Sequence, residues 1–387
     1  MTSLTGRCRP WFPAAIALAA LTATVLAPTS ANGAPPVTPN PAAVQASWIS
    51  EQVDFILSKQ LLSGAILSTG TKITPYFANI AALGLLAADA ATARAGVRSW
   101  MGWYLGHRNA AATNVPAESV FDYVYDPATG AETATGDFDS VDSYASTALN
   151  LAYRAYASGD PALQSFVAAN IGTYEAIANL TTYGAPTGVR IESGPEAGLT
   201  IAKPTYAVAY TMDNSEVYSG LADFAALETL LGRSAQATYY ASWAASTRAA
   251  IVAKLWNPTH GNWDASYASP SSTSVFYAPG VAQLWPIIFG VVAPSDPKAA
   301  SGWGQFSASF PSWHTGVIPD SYPWVSITRA AQLMGETARA ESYLADVHAR
   351  FAPNFTQPTS CGQAPCGEWY DAEAGWFLLG SLPGSGL

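Results

Sequence analysis

Apolar residues recur along most of the chain at spacings of three and four residues, the period of one face of an α-helix. Tyr144, Ala148, Leu151, Ala152 and Ala155 show this spacing clearly. The pattern predicts about twelve helices, joined in pairs by turns, and one β-hairpin between residues 120 and 136. The predicted helices cover residues 47–62, 76–91, 93–107, 145–156, 161–180, 211–231, 235–256, 276–289, 298–310, 322–334, 336–350 and 371–382.

The predicted helices alternate in character along the chain. The second, fourth, sixth, eighth and tenth are apolar on most faces, whereas most of the odd-numbered helices carry charge on one side. A helix that is apolar all round is buried, and an amphipathic helix packs outside it. The sequence therefore predicts an all-α fold, an (α/α)6 toroid with an inner and an outer ring of helices and short hairpin insertions. A solenoid of helix pairs is the main alternative, although no repeat consensus is visible.

The first 46 residues have the composition of an export signal followed by a linker. Arg7 and Arg9 precede an apolar run to Ala27, and small residues follow up to Ala31. This order is typical of a secretory signal peptide, and the apolar run is at the short limit for a membrane span. We expect residues 1–31 to be a signal peptide, residues 32–46 a Pro/Ala-rich linker, and residues 47–387 a single catalytic domain.

The predicted mature protein is secreted, extracellular and strongly acidic. Without the signal peptide, 15 basic residues remain against 27 acidic ones. Such a chain repels nucleic acid and anionic membrane surfaces, so we expect neither as a partner. No later segment stays apolar long enough to anchor the chain in a membrane, and we expect a monomer.

Cysteines and histidines limit the possible chemistry. Outside the signal peptide the cysteines are Cys361 and Cys366, which in an exported protein are expected to form a local disulfide rather than two thiols. The four histidines lie far apart without metal-ligand spacing, so we expect no metal and no cofactor. Asp137, Asp139 and Asp142 could alternatively hold calcium through their oxygens.

The starts of the inner helices are the place to look for a binding site, because alternate helix starts in such a ring point to the same end. All six starts carry aromatic residues, and four carry acids. Aromatic rings stack on the apolar faces of sugar rings, while carboxylates and amides bind sugar hydroxyls. The predicted carbohydrate-binding residues are Tyr76, Asn79, Asp139, Tyr144, Tyr277, Gln283, Asp320, Trp324, Glu368, Trp369 and Asp371.

Carboxylates at these helix starts predict hydrolysis of a glycosidic bond. That reaction needs one protonated carboxyl and one carboxylate that activates water or attacks the sugar. Asp142 and Asp213, on neighbouring inner helices, are the predicted pair, and Glu216 could replace Asp213. Helix axes pack about 8–10 Å apart, which leaves room for a water molecule and predicts inversion. Helix capping is the simpler role for each Asp.

The helix-pair pattern over residues 47–382 resembles the six-hairpin glycosidase-like (α/α)6 barrels. TATGDFD at residues 133–139, followed by DSYA at 142–145, is similar to the Asp-rich turn and helix of glycoside hydrolase family 8. In that family this turn contributes an acidic residue to the cleft. Its Ser-Glu-Gly motif is absent, and YFAN stands at residues 76–79 instead. The resemblance implies a helical barrel that acts on carbohydrate.

Three functions therefore remain open, with one favoured. We expect a glycoside hydrolase that cleaves a neutral or weakly charged poly- or oligosaccharide. A polysaccharide lyase would need positive charge to hold a uronate, and Arg190 and Lys203 are the best candidates for that role. A non-catalytic carbohydrate-binding or cell-wall protein is the third possibility, in which the aromatic residues bind sugar and the acids only cap helices.

Overall fold

The computed structural model describes residues 41–270, 272–355 and 367–382. The predicted signal peptide and the predicted Cys361–Cys366 disulfide lie outside these residues. Within the described part the chain forms thirteen α-helices and five short strands. The helices are α1 Pro41–Ser58, α2 Pro75–Ala88, α3 Ala91–Gly106, α4 Val141–Ala157, α5 Pro161–Ala169, α6 Ile171–Thr182, α7 Thr211–Leu230, α8 Ser234–Lys254, α9 Trp285–Ile288, α10 Pro297–Ser309, α11 Ser326–Leu333, α12 Thr337–Phe351 and α13 Asp371–Ser381.

Six of these helices close into an inner ring. Each of α2, α4, α7, α9, α11 and α13 contacts the next in this order, and α13 packs against α2. The remaining seven helices lie outside: α1 covers α13 and α2, α3 covers α2, α5 and α6 cover α4, α8 covers α7, and α12 covers α11, while α10 packs on the turn Val281–Gln283 that precedes α9. The predicted all-α toroid with an inner and an outer ring is confirmed.

The inner helices approach each other closely where glycines face a neighbouring backbone. A Cβ atom on Gly375 of α13 would lie 2.5 Å from the carbonyl oxygen of Ile80, and one on Gly84 of α2 would lie 2.7 Å from the Cα of Gly375. No side chain fits into this gap, so the two backbones are in direct contact. This contact closes the ring between its first and last helices.

Several predicted helix boundaries differ from the structure, and three of the differences have a clear physical cause. Residues 276–289 form a π-type turn, a 3-10 turn and the four-residue α9 instead of one helix, because Pro279 and Pro286 cannot donate backbone hydrogen bonds. The predicted helix at 161–180 is interrupted at Asn170, which separates α5 from α6. Residues 41–46, predicted to be part of the linker, form the first turns of α1, since Pro suits a first helical position and Ala favours helix.

In addition to the helices, the chain forms two small antiparallel sheets. Strands β2 (Tyr123–Asp126) and β3 (Ala131–Ala134) form the predicted hairpin, and β1 (Lys72–Ile73) adds a third strand beside β2. Strands β4 (Trp256–Asn257) and β5 (Asn262–Trp263) flank a turn after α8. Among the described helices, none combines the length and apolar character required of a membrane span.

Substitution of Gly375 by Ala should destabilise the protein, because the added methyl group would overlap the Ile80 carbonyl and force α2 and α13 apart. We expect the free energy of unfolding, measured in urea, to fall by about 1–3 kcal/mol. Gly304→Ala is the matched control, since Gly304 is exposed within α10 and its Cβ would meet no atom within 4 Å. That variant should be stabilised by about 0.5–1 kcal/mol, and equal behaviour of the two variants would contradict the close contact.

Candidate active site

A cavity of about 1030 Å³ lies at the end of the toroid where the inner helices begin. Residues from the first turns of α2, α4, α7, α9, α11 and α13 all line it. As predicted, the starts of the inner helices surround one opening. A large concave site with converging polar groups is the usual form of a small-molecule site. Its aromatic and acidic lining includes Tyr76, Phe77, Asp122, Asp137, Asp139, Tyr144, Tyr206, Tyr210, Asp213, Glu216, Tyr277, Trp285, Asp320, Tyr322, Trp324, Tyr370, Glu373 and Trp376.

Position within the first helical turn decides which side chains reach this cavity. The third helical residue lines it in four inner helices: Phe77 in α2, Ser143 in α4, Asp213 in α7 and Glu373 in α13. The first helical residue of the same four helices does not line it. Helix phase therefore places Asp213 and Glu373 on the cavity wall.

Asp213 lies at the cavity surface among other acids. Its Oδ2 is 3.4 Å from the hydroxyl oxygen of Ser140, the N-cap residue of α4. Burial holds the pKa of Asp213 well above its usual range, and the negative charges of Asp142, Glu216 and Asp139 raise the pKa further. Asp213 therefore keeps its proton to a higher pH than an ordinary aspartate does, which suits a proton donor.

Glu216 lies one turn further along α7 and is only 2% exposed. Its Oε1 accepts hydrogen bonds of 2.7 Å from both the Tyr76 hydroxyl and the Trp285 indole N–H. Burial raises the pKa of Glu216 to about 7, although these hydrogen bonds oppose the rise. The two donors fix this carboxyl between α2 and α9.

Glu373 is held by two successive backbone N–H groups. The N–H of Trp324 donates to Oε1 at 3.0 Å and the N–H of Val325 donates to Oε2 at 2.8 Å. Trp324 adopts a left-handed backbone conformation with a φ of 51°, which a bulky residue rarely takes, whereas Val325 has a φ of −60°. Such a pair of conformations forms a concave nest of N–H groups that binds anions. Burial still raises the pKa of Glu373 to about 7.

Asp142, the predicted partner of Asp213, does not line the cavity. It is fully buried and accepts hydrogen bonds from the Ser140 hydroxyl at 2.5 Å, the Thr200 hydroxyl at 2.7 Å and the Ser143 N–H at 3.0 Å. These hydrogen bonds hold the Asp142 carboxylate behind the cavity wall. Through Ser140, however, it lies one hydroxyl group away from Asp213.

The predicted sugar-binding residues divide into two groups. Tyr76, Asp139, Tyr144, Tyr277, Asp320 and Trp324 line the cavity, as do Asp213 and Glu216. Six other predicted residues, counting Asp142, do not. These are Asn79, Asp142, Gln283, Glu368, Trp369 and Asp371.

Asn79 and Gln283 have structural partners instead. Asn79 donates to the Thr147 hydroxyl at 2.9 Å and accepts from the Trp100 indole at 2.9 Å, so it joins α2 to α3 and α4. Gln283 exchanges two hydrogen bonds with the backbone of Trp263 and is fully buried.

The three residues around the start of α13 also face elsewhere. Glu368 accepts a hydrogen bond from the Gly70 N–H at 3.4 Å. Trp369 is fully buried in the core and donates its indole N–H to Gln52 at 3.1 Å. Asp371 is the first residue of α13 and is buried, and this burial raises its pKa well above the usual range.

The basic residues considered for a lyase are not on the cavity wall. Arg190 donates to the Thr181 carbonyl at 3.0 Å and to the Thr247 hydroxyl at 3.1 Å and is only 6% exposed. Lys203 binds both oxygens of Asp137, at 2.9 and 3.0 Å. Among the described cavity-lining residues, Lys72 is the one basic side chain, against seven carboxyl groups.

No group of three or more His, Cys, Asp or Glu side chains in the described part of the chain is arranged to hold a metal ion. The calcium alternative gains no support, because Asp137 pairs with Lys203 and Asp142 is buried behind Ser140.

Sequence reasoning missed Glu373, Trp285, Tyr206 and Tyr370 on the cavity wall. For Glu373 a signal was available. Asp213 and Glu373 both stand two residues after the first residue of an inner helix, so a consistent helix phase would have selected Glu373 over Asp371.

Comparisons with known proteins agree with this architecture. Residues 197–321 match the family described as the mannosylglycerate hydrolase MGH1-like glycoside hydrolase domain, a segment that includes Asp213, Glu216 and Tyr277. No curated protein matches the chain in sequence. The match to a glycoside hydrolase domain confirms the predicted enzyme class.

Solved structures share the fold at low sequence identity. A glycosidase variant superimposes with a TM-score of 0.62 at 13% identity, covering 88% of this chain and 98% of its own. A glycosidase variant in complex with glucose gives 0.59 at 14%, with the same coverage. The family 63 mannosylglycerate hydrolase from Thermus thermophilus, in complex with glucose, gives 0.59 at 13%, covering 86% and 99%. The predicted six-hairpin glycosidase-like fold is thus confirmed, whereas the local similarity to family 8 is not.

Asp142→Asn should change the pH dependence of activity, because it removes a negative charge that raises the pKa of Asp213. With a lower pKa, Asp213 loses its proton at lower pH, so the alkaline limb of the kcat/KM profile should move down by roughly one pH unit. The acidic limb should move less. A purely structural role for Asp142 would instead lower the rate at every pH and leave both limbs in place.

Proposed function

We propose that this chain hydrolyses glycosidic bonds in a neutral oligo- or polysaccharide, with Asp213 as general acid and Glu373 as general base. One observation carries the proposal: the two carboxyl groups belong to α7 and α13, which are opposite members of the six-helix ring, and both line the cavity between them. A sugar in that cavity would therefore have one carboxyl group on each side.

Asp213 suits the role of the acid. Burial and the neighbouring carboxylates raise its pKa, so the carboxyl group keeps its proton to a higher pH than an ordinary aspartate does. General acids of glycosidases have such raised pKa values, because they must protonate the departing oxygen.

Glu373 suits the role of the base. The Trp324 and Val325 N–H groups stabilise its carboxylate form and fix its orientation. Each oxygen has a further lone pair available, which can accept a proton from a water molecule. The water then attacks the sugar carbon from the side opposite the departing oxygen, and Asp213 supplies the proton to that oxygen. This sequence inverts the anomeric configuration.

A neutral substrate is supported by the charge of the cavity. Seven carboxyl groups and one lysine line it, so an anionic sugar would be repelled except near Lys72. One of the similar structures is named as a mannosylglycerate hydrolase, whose substrate carries a carboxylate. We propose that the substrate of this chain, in contrast, carries no carboxylate. We also propose export, which is supported by the signal-like sequence of residues 1–31.

Substitution of either proposed catalytic residue should abolish most activity. We expect Asp213→Asn and Glu373→Gln each to lower kcat by about 10²–10⁴-fold, because each removes one proton-transfer group. Release of reducing sugar from a panel of neutral oligosaccharides is the measurement. Asp320→Asn, which changes a half-buried acid outside the helical ring, is the comparison variant and should lose much less. If Glu373→Gln retained the wild-type rate, Glu373 would not be the general base.

Product stereochemistry separates Glu373 from Glu216 as the second carboxylate. Asp213 and Glu216 are three residues apart on one helix, so their close approach would favour a retaining reaction. With Glu373 on the opposite wall, proton NMR of the first product should show the inverted anomer. Retention of configuration would favour Glu216 instead.

The pH profile should be bell-shaped with its acidic limb near neutrality. Glu373 must lose its proton to act, so kcat/KM should rise as pH increases through its pKa of about 7. Asp213 must keep its proton, so kcat/KM should fall at higher pH, above the raised pKa of Asp213. An acidic limb near pH 4 would show that Glu373 is not the titrating base.

A further inference from the structure

The mouth of the cavity carries three exposed tyrosines, each backed by a second aromatic ring. Tyr206, Tyr277 and Tyr322 are 50%, 57% and 40% exposed, although all three line the cavity. Exposure of a large ring costs free energy unless the ring has a partner, so three exposed rings around one opening indicate a binding surface.

The backing rings hold each tyrosine in place. Tyr277 tilts against Trp324 with ring centroids 5.2 Å apart. Tyr322 meets Tyr370 edge to face at 5.5 Å. These contacts leave the outer faces of the exposed rings free toward solvent and fix their positions before a ligand arrives.

The third pair is also hydrogen-bonded. Tyr206 and Tyr210 have ring centroids 6.3 Å apart, and their hydroxyl oxygens are 2.9 Å apart. Tyr206 lies in the long connection between α6 and α7, whereas Tyr210 is the residue immediately before α7. The pair therefore links the mouth to the helix that carries Asp213.

The exposed tyrosines and the proposed catalytic carboxyl groups lie at different depths of the cavity. Glu216 and Glu373 are each 2% exposed and Trp285 is 4% exposed, so these side chains at the floor of the cavity are almost fully shielded. The tyrosines stand at the open end. The cavity volume of about 1030 Å³ is at the upper end of the range of about 300–1,000 Å³ for small-molecule pockets, which leaves room for several sugar rings.

From these observations, and resting on the proposed function, we infer that the substrate is an oligosaccharide of three or more units. One sugar lies between the carboxyl groups at the floor, and further sugars stack on Tyr206, Tyr277 and Tyr322 at the mouth. Flat aromatic faces suit the apolar faces of sugar rings, and the surrounding carboxylates accept hydrogen bonds from sugar hydroxyls. A disaccharide-sized substrate would leave the three tyrosine faces uncovered.

Activity on oligosaccharide ladders tests this inference. The probes are β-1,4-glucose, α-1,4-glucose and β-1,4-mannose oligomers of two to five units. For the ladder that is cleaved, we expect kcat/KM to rise with length up to four or five units. In Tyr277→Ala and Tyr206→Ala the ratio of kcat/KM for the tetramer to that for the dimer should fall by about tenfold, because a stacking face is lost.

Two further variants distinguish stacking from loss of fold. Tyr277→Phe keeps the ring and should retain the length dependence. Tyr239→Ala removes a tyrosine that is 37% exposed and packs on Trp243 and Tyr240 away from the cavity. In this variant the ratio of kcat/KM for the tetramer to that for the dimer should equal the wild-type ratio.

Binding to Glu373→Gln, measured by calorimetry with the same ladders, separates this inference from the proposed function. Tighter binding of longer oligomers without hydrolysis by the wild type would support the tyrosine surface and refute the hydrolase. Hydrolysis with equal kcat/KM at every length, or a ratio that Tyr206→Ala and Tyr277→Ala leave unchanged, would overturn the inference alone. Neither binding nor hydrolysis of any ladder would overturn both.

Discussion

Closure of the inner helical ring is the constraint on which the site depends. The backbones of α2 and α13 touch at Gly84 and Gly375, so the last inner helix can reach the first. Once the ring is closed, six helix starts lie around one opening. Their dipoles favour carboxylates by about 0.3–1 kcal/mol each, which is less than one pKa unit. Burial opposes this effect and is larger, because it raises pKa values by up to 3–5 units.

The balance between burial and hydrogen bonding gives similar carboxyl groups different roles. Asp213 has acidic neighbours and one weak hydrogen bond, so burial and charge together hold its pKa well above the usual range. Glu373 is more deeply buried, but two backbone N–H groups favour its charged form. Asp142 stands behind Ser140, which neighbours Asp213, and its negative charge raises the pKa of Asp213.

Helical periodicity predicted the toroid, the convergence of helix starts and eight of the wall residues, because burial of apolar faces depends on spacing alone. Choosing among acids within one helix turn requires the helix phase, and that depends on where each helix begins. The phase favoured Glu373 over Asp371, whereas hydrogen bonds to Ser140 and Thr200 keep Asp142 off the wall. Trp285 was not predicted, since Pro279 and Pro286 break the periodic pattern around it. The nest at Trp324 depends on a positive φ that no local pattern indicates.

Chemistry and selectivity are divided between different parts of the chain. Asp213, Glu216 and Glu373 lie on inner helices, where ring packing fixes their positions. Tyr206, Tyr277 and Tyr322 lie in the connections that precede α7, α9 and α11. Connections tolerate sequence change better than packed helices do. Exchange of these segments can therefore alter which sugar binds at the mouth without disturbing the carboxyl groups at the floor, as long as Glu373 keeps its two N–H donors from residues 324 and 325.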